Sequence, residues 1–309
     1  MQCNTLWGQI NMTETTDSDS ETTSRSTRRR FLGQLALGGA AGAALLASGV
    51  LSSPLPAVAA TLRESETGVE LTPTVRSNGI NVVLVHGVWA DATSYSGVIP
   101  LLLEEGYTVY APQLPLTTHL ADDVTAALGV IQQAKGPTVL VGHSYGGVII
   151  TNAGAGLSNV IGLVYCNAFA PDMGEVLGQY SPGPGLANVF PVTYPNNFGT
   201  FLFFNQQKFR ESFCADVERR KASIMATVQK PANVNILSDP TTAVAWKSIP
   251  SWYLIGGKDQ LLPPSVQQFF ASRMKATTVT VPESSHASIV SHPHKVFELI
   301  QAAAKQNDD

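Results

Sequence analysis

Residues 138–147 read Thr138-Val139-Leu140-Val141-Gly142-His143-Ser144-Tyr145-Gly146-Gly147. The first half is a short β-branched apolar run, which fits a buried strand and is too brief for a helix. The second half is a G-x-S-x-G pattern that leads into the apolar stretch Val148-Ile149-Ile150, where a helix is expected to open near Tyr145. Glycines on both sides of a serine allow a tight strand-to-helix turn, and Gly147 adds a further close-packing position. A serine at the tip of that turn joins neither ladder nor helix, so its hydroxyl stands out over the sheet edge. The helix N-terminus behind it favours developing negative charge. Ser144 is the candidate nucleophile.

Working outward, the same alternation of short apolar runs and amphipathic stretches recurs. Strands are expected at 81–86, 107–111, 160–165, 251–255 and 277–281, besides 138–142. Helices are expected near 94–105, 119–134, 145–156, 263–274 and 293–305, the last with Ser291 as N-cap and Pro293 near its first position. Strand–helix alternation predicts an α/β fold, a mostly parallel sheet with helices on both faces. The rhythm breaks over about 170–247, where turn-rich SPGPG (181–185) and YPNN (194–197) precede a helical pattern around 206–230. That stretch reads as a small, mainly helical cap insertion over one end of the sheet.

Residues 80–305 resemble the α/β-hydrolase fold family. Within it they resemble the small cofactor-free branch of bacterial esterase-like hydrolases, plant methylesterases and hydroxynitrile lyases. The resemblance rests on His86-Gly87-Val88-Trp89 after the first clear strand and GHSYGG at 142–147. Gly257-Lys258-Asp259 after strand 251–255 and the late Ser285-His286 complete it. It implies a Ser-His-Asp triad, with backbone N–H groups of Val88 and Tyr145 as the oxyanion hole.

A serine hydroxyl is a weak nucleophile until a base takes its proton, and the chain offers six histidines. His86 lies in the strand-end turn, where the family uses the ring for loop structure. His143 is the variable residue of the turn and is expected to point away from Ser144. His119 begins a helix and reads as a surface residue. His292 and His294 flank Pro293; such a pair can bind metal, but no third ligand is apparent. His286 follows strand 277–281 and a short loop, where this fold delivers its base. For the acid, Asp259 follows strand 251–255 in the expected order Ser144, Asp259, His286. Asp172, after strand 160–165, is its rival. Trp89, Tyr95 and Phe169 are candidate pocket residues, with membership of the core as the alternative.

The function expected is hydrolysis of a small carboxylic ester through an acyl-enzyme. Lyase, perhydrolase or carbon–carbon cleavage on the same triad is one alternative, and Lys258 beside Asp259 keeps the lyase reading open. A ligand-binding protein with an idle triad is another. Composition removes other classes. Only 14% of the 309 residues are charged and the net charge is −4, against about 25% charged in an average soluble protein. Nucleic-acid binding and disorder both call for far more charge. Three cysteines, none in a CxxC pair, make no disulfide scaffold. Cys166 and Cys214 are expected as buried free thiols. No cofactor is expected, since GxGxxG and Walker-type loops are absent.

The N-terminus reads as an export signal. Residues 1–24 are polar; Arg25, Arg28, Arg29 and Arg30 follow, then an uncharged Gly/Ala-rich stretch and Ala57-Val58-Ala59, a small-x-small cleavage pattern. Thr27 to Leu32 resembles a twin-arginine signal. Residues 1–60 are thus expected to be removed, leaving 61–309 as an exported hydrolase domain, periplasmic or extracellular. The translocon and signal peptidase would be transient partners. A permanent anchor helix is the alternative, which the glycines of 31–50 weaken.

Overall fold

The computed structural model describes residues 77–306. The arginine run and the expected cleavage site lie outside the described residues. The six apolar runs form β1 (Asn81–Val85), β2 (Thr108–Tyr110), β3 (Thr138–His143), β4 (Val160–Cys166), β8 (Ser251–Gly256) and β9 (Thr277–Val281). They make one sheet in the order β2-β1-β3-β4-β8-β9, and every neighbouring pair is parallel. β1, β3 and β8 are buried along their whole length, which is why they read as continuous apolar runs.

The strand order fixes where a site can form. From β1 the chain goes outward to β2 and then returns to the other side of β1 as β3. A crevice opens at the carboxyl ends of two strands whose connections leave in opposite directions. Those ends are Val85 and Gly142, which are partners in the register. The turns following them carry His86-Gly87-Val88-Trp89 and His143-Ser144-Tyr145.

Helices α1 (Ile99–Glu104), α2 (Leu120–Ile131), α3 (Gly146–Ala153), α6 (Pro264–Arg273), α7 (Ser288–Ser291) and α8 (Pro293–Lys305) flank the sheet. α2 and α3 pack together near β1 and β3; α1 meets α8, which covers β3, β4 and β8. Two expected helices differ in detail. The one at 94–105 is split into a 3-10 turn, Ala92–Tyr95, and α1. Gly97 lies between them, where a Cβ would meet Pro293, and Pro100 belongs to the first turn of α1. Ser291 does not cap α8: its hydroxyl bonds back to the Ala287 carbonyl at 3.2 Å, and His292 takes the N-cap position.

Between β4 and β8 the insertion is richer than its sequence pattern. It carries α4 (Gln206–Phe213) and α5 (Arg219–Thr227), but also a three-stranded antiparallel sheet of β5 (Val189–Tyr194), β6 (Gly199–Phe204) and β7 (Ala232–Asn233). The turn-rich YPNN stretch is the tip of the β5–β6 hairpin, with Asn196 and Asn197 at φ 60° and 58°. Asparagine tolerates that left-handed region better than most residues. The cap therefore combines helices with a small sheet.

Candidate active site

Ser144 sits at the end of β3 with φ 52°, a left-handed conformation that non-glycine residues rarely adopt. Surrounding backbone holds it there. The Ser144 N–H donates to the Cys166 carbonyl at 3.3 Å, and the Ser144 carbonyl accepts from Gly147 at 3.0 Å and Phe169 at 3.1 Å. The neighbouring glycines are needed for close approach. A Cβ on Gly146 would lie 2.3 Å from the Val85 carbonyl oxygen, and one on Gly87 would lie 2.7 Å from the Ser144 Cβ.

His286, buried, lies after β9 and bonds through Nδ1 to Asp259 Oδ2 at 2.8 Å. Asp259 is buried too, and each of its oxygens is committed. Oδ1 accepts the backbone N–H groups of Leu261 and Leu262 at 2.8 and 2.9 Å. Oδ2 also accepts from Asn167 Nδ2 at 3.0 Å and Gln267 Nε2 at 2.9 Å. A carboxylate is acceptor-only, so this arrangement of N–H donors fixes its orientation, and through it the imidazole. Asp172 is elsewhere: it pairs with Lys247 and caps the Met173 N–H at 2.7 Å.

Three partners of this pair have no role assigned to them by the sequence: Asn167 and Gln267 lie in no motif, and His143 is the variable residue of the turn. Asn167 at φ 47° spans Asp259 and the Ser285 carbonyl, the latter at 3.1 Å. Gln267 of α6 also holds the Leu262 carbonyl at 2.7 Å. His143 turns away from the serine as expected, but toward the base: its Nε2 donates to the His286 carbonyl at 2.7 Å. Burial pulls the His143 pKa down to about 3, with His286 adding to the shift, so the ring is neutral. Phe213, from the cap, meets His286 edge-on at 5.1 Å.

Ser144 and His286 line one cavity of about 610 Å³, its open mouth included. Val88 and Tyr145 line it as well, and among the described residues neither backbone N–H has a protein acceptor. Trp89 and Phe169 form part of the wall; the cap supplies Leu177, Tyr180, Leu186, Leu202, Ile236 and Leu237. Among the described residues no Asp, Glu, Lys or Arg side chain is in the lining. Tyr95, expected as a pocket residue, is not there. It is fully buried beneath β1 with its hydroxyl on the Val85 carbonyl at 3.0 Å, because the 3-10 turn aims it into the core.

The remaining sequence candidates are placed apart from the cavity. His86 ties the loop, through Nδ1 to the Gly87 carbonyl at 2.8 Å and through Nε2 from the Leu114 N–H at 3.0 Å; burial lowers its pKa to about 4. His119 pairs with Asp239 at the surface. His292 bonds to Asp216 at 3.1 Å. Among the described residues no group of three or more His, Cys, Asp or Glu side chains could hold a metal. Lys258 extends to Glu283 at the surface and is not in the cavity wall. Cys166 and Cys214 are buried and free, each thiol pushed up to about 12 by burial.

Comparison with known proteins follows the same lines. The model of the "Alpha/beta hydrolase family" matches residues 82–299. The chain is 28% identical over 244 residues to the alpha/beta hydrolase nvfD of Aspergillus novofumigatus, covering 72% of this chain and 96% of that one. It is 25% identical over 244 residues to the pyrethroid hydrolase of Sphingobium wenxiniae, covering 71% and 86%. Among solved structures, a polyneuridine aldehyde esterase superposes with a TM-score of 0.65 at 20% identity, over 74% of this chain and 99% of that one.

Proposed function

The chain belongs to the alpha/beta hydrolase family, and from that premise we propose that it is a serine hydrolase of neutral carboxylic esters. The observation that carries this reading is the 2.8 Å His286–Asp259 bond beside a serine held at φ 52° in the same cavity wall. In this reading Ser144 Oγ attacks the ester carbonyl while His286 Nε2 takes its proton. Oγ and Nε2 must come within hydrogen-bond reach as the substrate seats. Asp259 holds Nδ1–H, keeping Nε2 free as the base and stabilising the imidazolium.

The developing alkoxide would be met by the N–H groups of Val88 and Tyr145, with the N-terminus of α3 behind them. Collapse of the tetrahedral intermediate breaks the C–O bond, and the alcohol leaves with the proton from His286. Water, deprotonated by the same imidazole, then attacks the acyl-enzyme and releases the acid. No metal or organic cofactor enters this scheme. An apolar lining without charge favours a neutral substrate with sizeable hydrocarbon parts, since an unpaired ionic group would be desolvated there without a partner.

The lyase alternative loses the feature that favoured it, because Lys258 is engaged with Glu283 outside the cavity. The test is a panel of p-nitrophenyl and alkyl esters with wild type and Ser144→Ala, together with a fluorophosphonate probe. Turnover by the wild type, loss by several orders of magnitude in the variant and label on Ser144 alone are expected. Label on another serine, or no turnover of any ester, would overturn the reading. The arginine pair Arg28-Arg29 and the pattern Ala57-Val58-Ala59 support the further reading that the enzyme is exported.

A further inference from the structure

Trp89 stands between two spaces. On one side is the cavity of Ser144 and His286; on the other is a second cleft of about 560 Å³, its open mouth included, bounded by the 90–96 turn, by Val290 and by Lys221, Ile224, Met225 and Val228 from α5 and its end. Among the described residues, Trp89 alone lines both. The indole is fixed by cap and loop alike. Its Nε1–H donates to the Leu202 carbonyl at 2.8 Å, its ring meets Phe204 edge-on at 5.2 Å, and its backbone N–H donates to the Lys230 carbonyl at 2.9 Å.

We propose that Trp89 is the specificity-determining wall of the site, a partition that ends the substrate cavity and keeps a second, preformed cleft out of its reach. The inference rests on the ester-hydrolase reading for its substrate class, but the partition itself is a matter of volume. The second cleft has a polar part, Asp91, Thr93 and Lys221 among it, and an apolar part formed by Ile224, Met225, Val228 and Val290. A hydrocarbon chain long enough to cross would gain burial against that apolar part once the ring is gone. Val88 directly precedes Trp89, so the wall stands beside one of the two candidate oxyanion donors. A substrate arm crossing the site toward α5 ends against this ring.

Trp89 has φ 58°, a region where glycine is comfortable, so Trp89→Gly removes the ring while leaving the backbone path of the loop available. The chain-length profile of linear p-nitrophenyl esters, acetate to laurate, should shift to longer chains. The laurate-to-butyrate ratio of kcat/KM should rise by at least about tenfold. Met225→Trp, which fills the second cleft from α5, should leave the wild-type profile unchanged and cancel the gain in the double variant. Trp89→Phe, which retains a ring, should keep the short-chain profile if the glycine variant does not fold. Binding of linear methyl ketones, ester-shaped and unhydrolysable, is measured in parallel by calorimetry. A length cutoff in ketone binding that moves with Trp89→Gly supports the partition even if no ester is turned over, which would sink only the hydrolase reading. An unchanged cutoff in both assays, or a gain that Met225→Trp does not reverse, overturns the partition.

Discussion

The imidazole of His143 donates from Nε2 to the backbone carbonyl of His286 at 2.7 Å, with the two rings 4.9 Å apart. The variable residue of the strand-to-helix turn thus holds the backbone of the candidate base. Asp259 fixes that base from its ring, and His143 fixes it from its main chain.

The first prediction follows from that bond. His143→Leu removes the donor and leaves a buried carbonyl unpaired, so the imidazole of His286 loses one of its two anchors. A displacement of about 1 Å at a reacting group costs about a hundredfold in rate, and a fall in kcat approaching that size is expected, with KM little changed. His143→Gln, whose amide can donate to the same carbonyl, should recover part of it. A KM effect without a kcat effect, or no difference between the two variants, would remove His143 from this role.

Acid should unfold the protein through two neutral histidines. Burial holds His143 at about 3 and His86 at about 4 in the folded state, whereas both titrate near 6.5 when unfolded. Between those values the unfolded chain binds more protons, so stability falls as pH drops below about 6.5 and is unaffected by these groups above it. Each ring contributes a slope of up to about 1.4 kcal/mol per pH unit in that window. His119, raised by its bond to Asp239, acts in the opposite sense, with its share lost as pH rises, but it is exposed and screened. Urea midpoints measured from pH 7 to pH 4 should show the slope, and His143→Gln should reduce it by one proton's worth.

Gly87→Ala should separate activity from folding. The added methyl would lie 2.7 Å from the Ser144 Cβ and 2.9 Å from the His143 carbonyl oxygen, so the serine must move. Melting should show a folded protein, with kcat reduced about a hundredfold. Gly146→Ala, whose methyl would lie 2.3 Å from the Val85 carbonyl, presses helix α3 off the β1 backbone. That variant should be markedly destabilised or insoluble. Normal activity in Gly87→Ala would show that the serine's position is not tied to this contact.

Asn167 should matter through Asp259. Its amide spans the Asp259 carboxylate and the Ser285 carbonyl, and removing a buried partner of this kind costs about 1–3 kcal/mol. Asn167→Ala is expected to lower both the melting temperature and kcat. Asn167→Asp places a second carboxyl against the first, and like charges at such range oppose one another. Its kcat should be lower still. Equal activity in the three proteins, measured at pH 7 on one ester, would contradict this account.

Export is tested at the precursor. Arg28→Lys with Arg29→Lys should trap a full-length, catalytically active protein inside a bacterial host, while the parent chain is cleaved near Ala60 and leaves the cytoplasm. Fractionation with N-terminal sequencing reads both. Undiminished export of the double variant would refute the twin-arginine reading, and an uncleaved chain in the membrane fraction would favour an anchor.

The parallel sheet was legible in the sequence because burial on both faces demands apolar runs rich in β-branched and aromatic residues, and 81–85, 138–143 and 251–256 have them. Ser144 was legible because only a glycine-flanked turn places a serine at a strand end, and local backbone sterics act over a few residues. The helix at 94–105 was less so, since Gly97 and Pro100 divide it in a way that periodicity does not register. The β5–β6 hairpin was read only as its turn, because Asn196 and Asn197 mark a local conformation while strand pairing is not local.

Short-range sterics and the period of burial set the alternation of elements and the residues at their ends, and both can be read along the chain without its fold. The tertiary structure alone decided that His286 bonds to Asp259 while Asp172 pairs with Lys247. It also placed Tyr95 in the core and brought Asn167, Gln267 and His143 around the pair. Such contacts join segments up to 143 residues apart. They depend on side-chain directions and on how the cap packs over the sheet, and no local propensity encodes either.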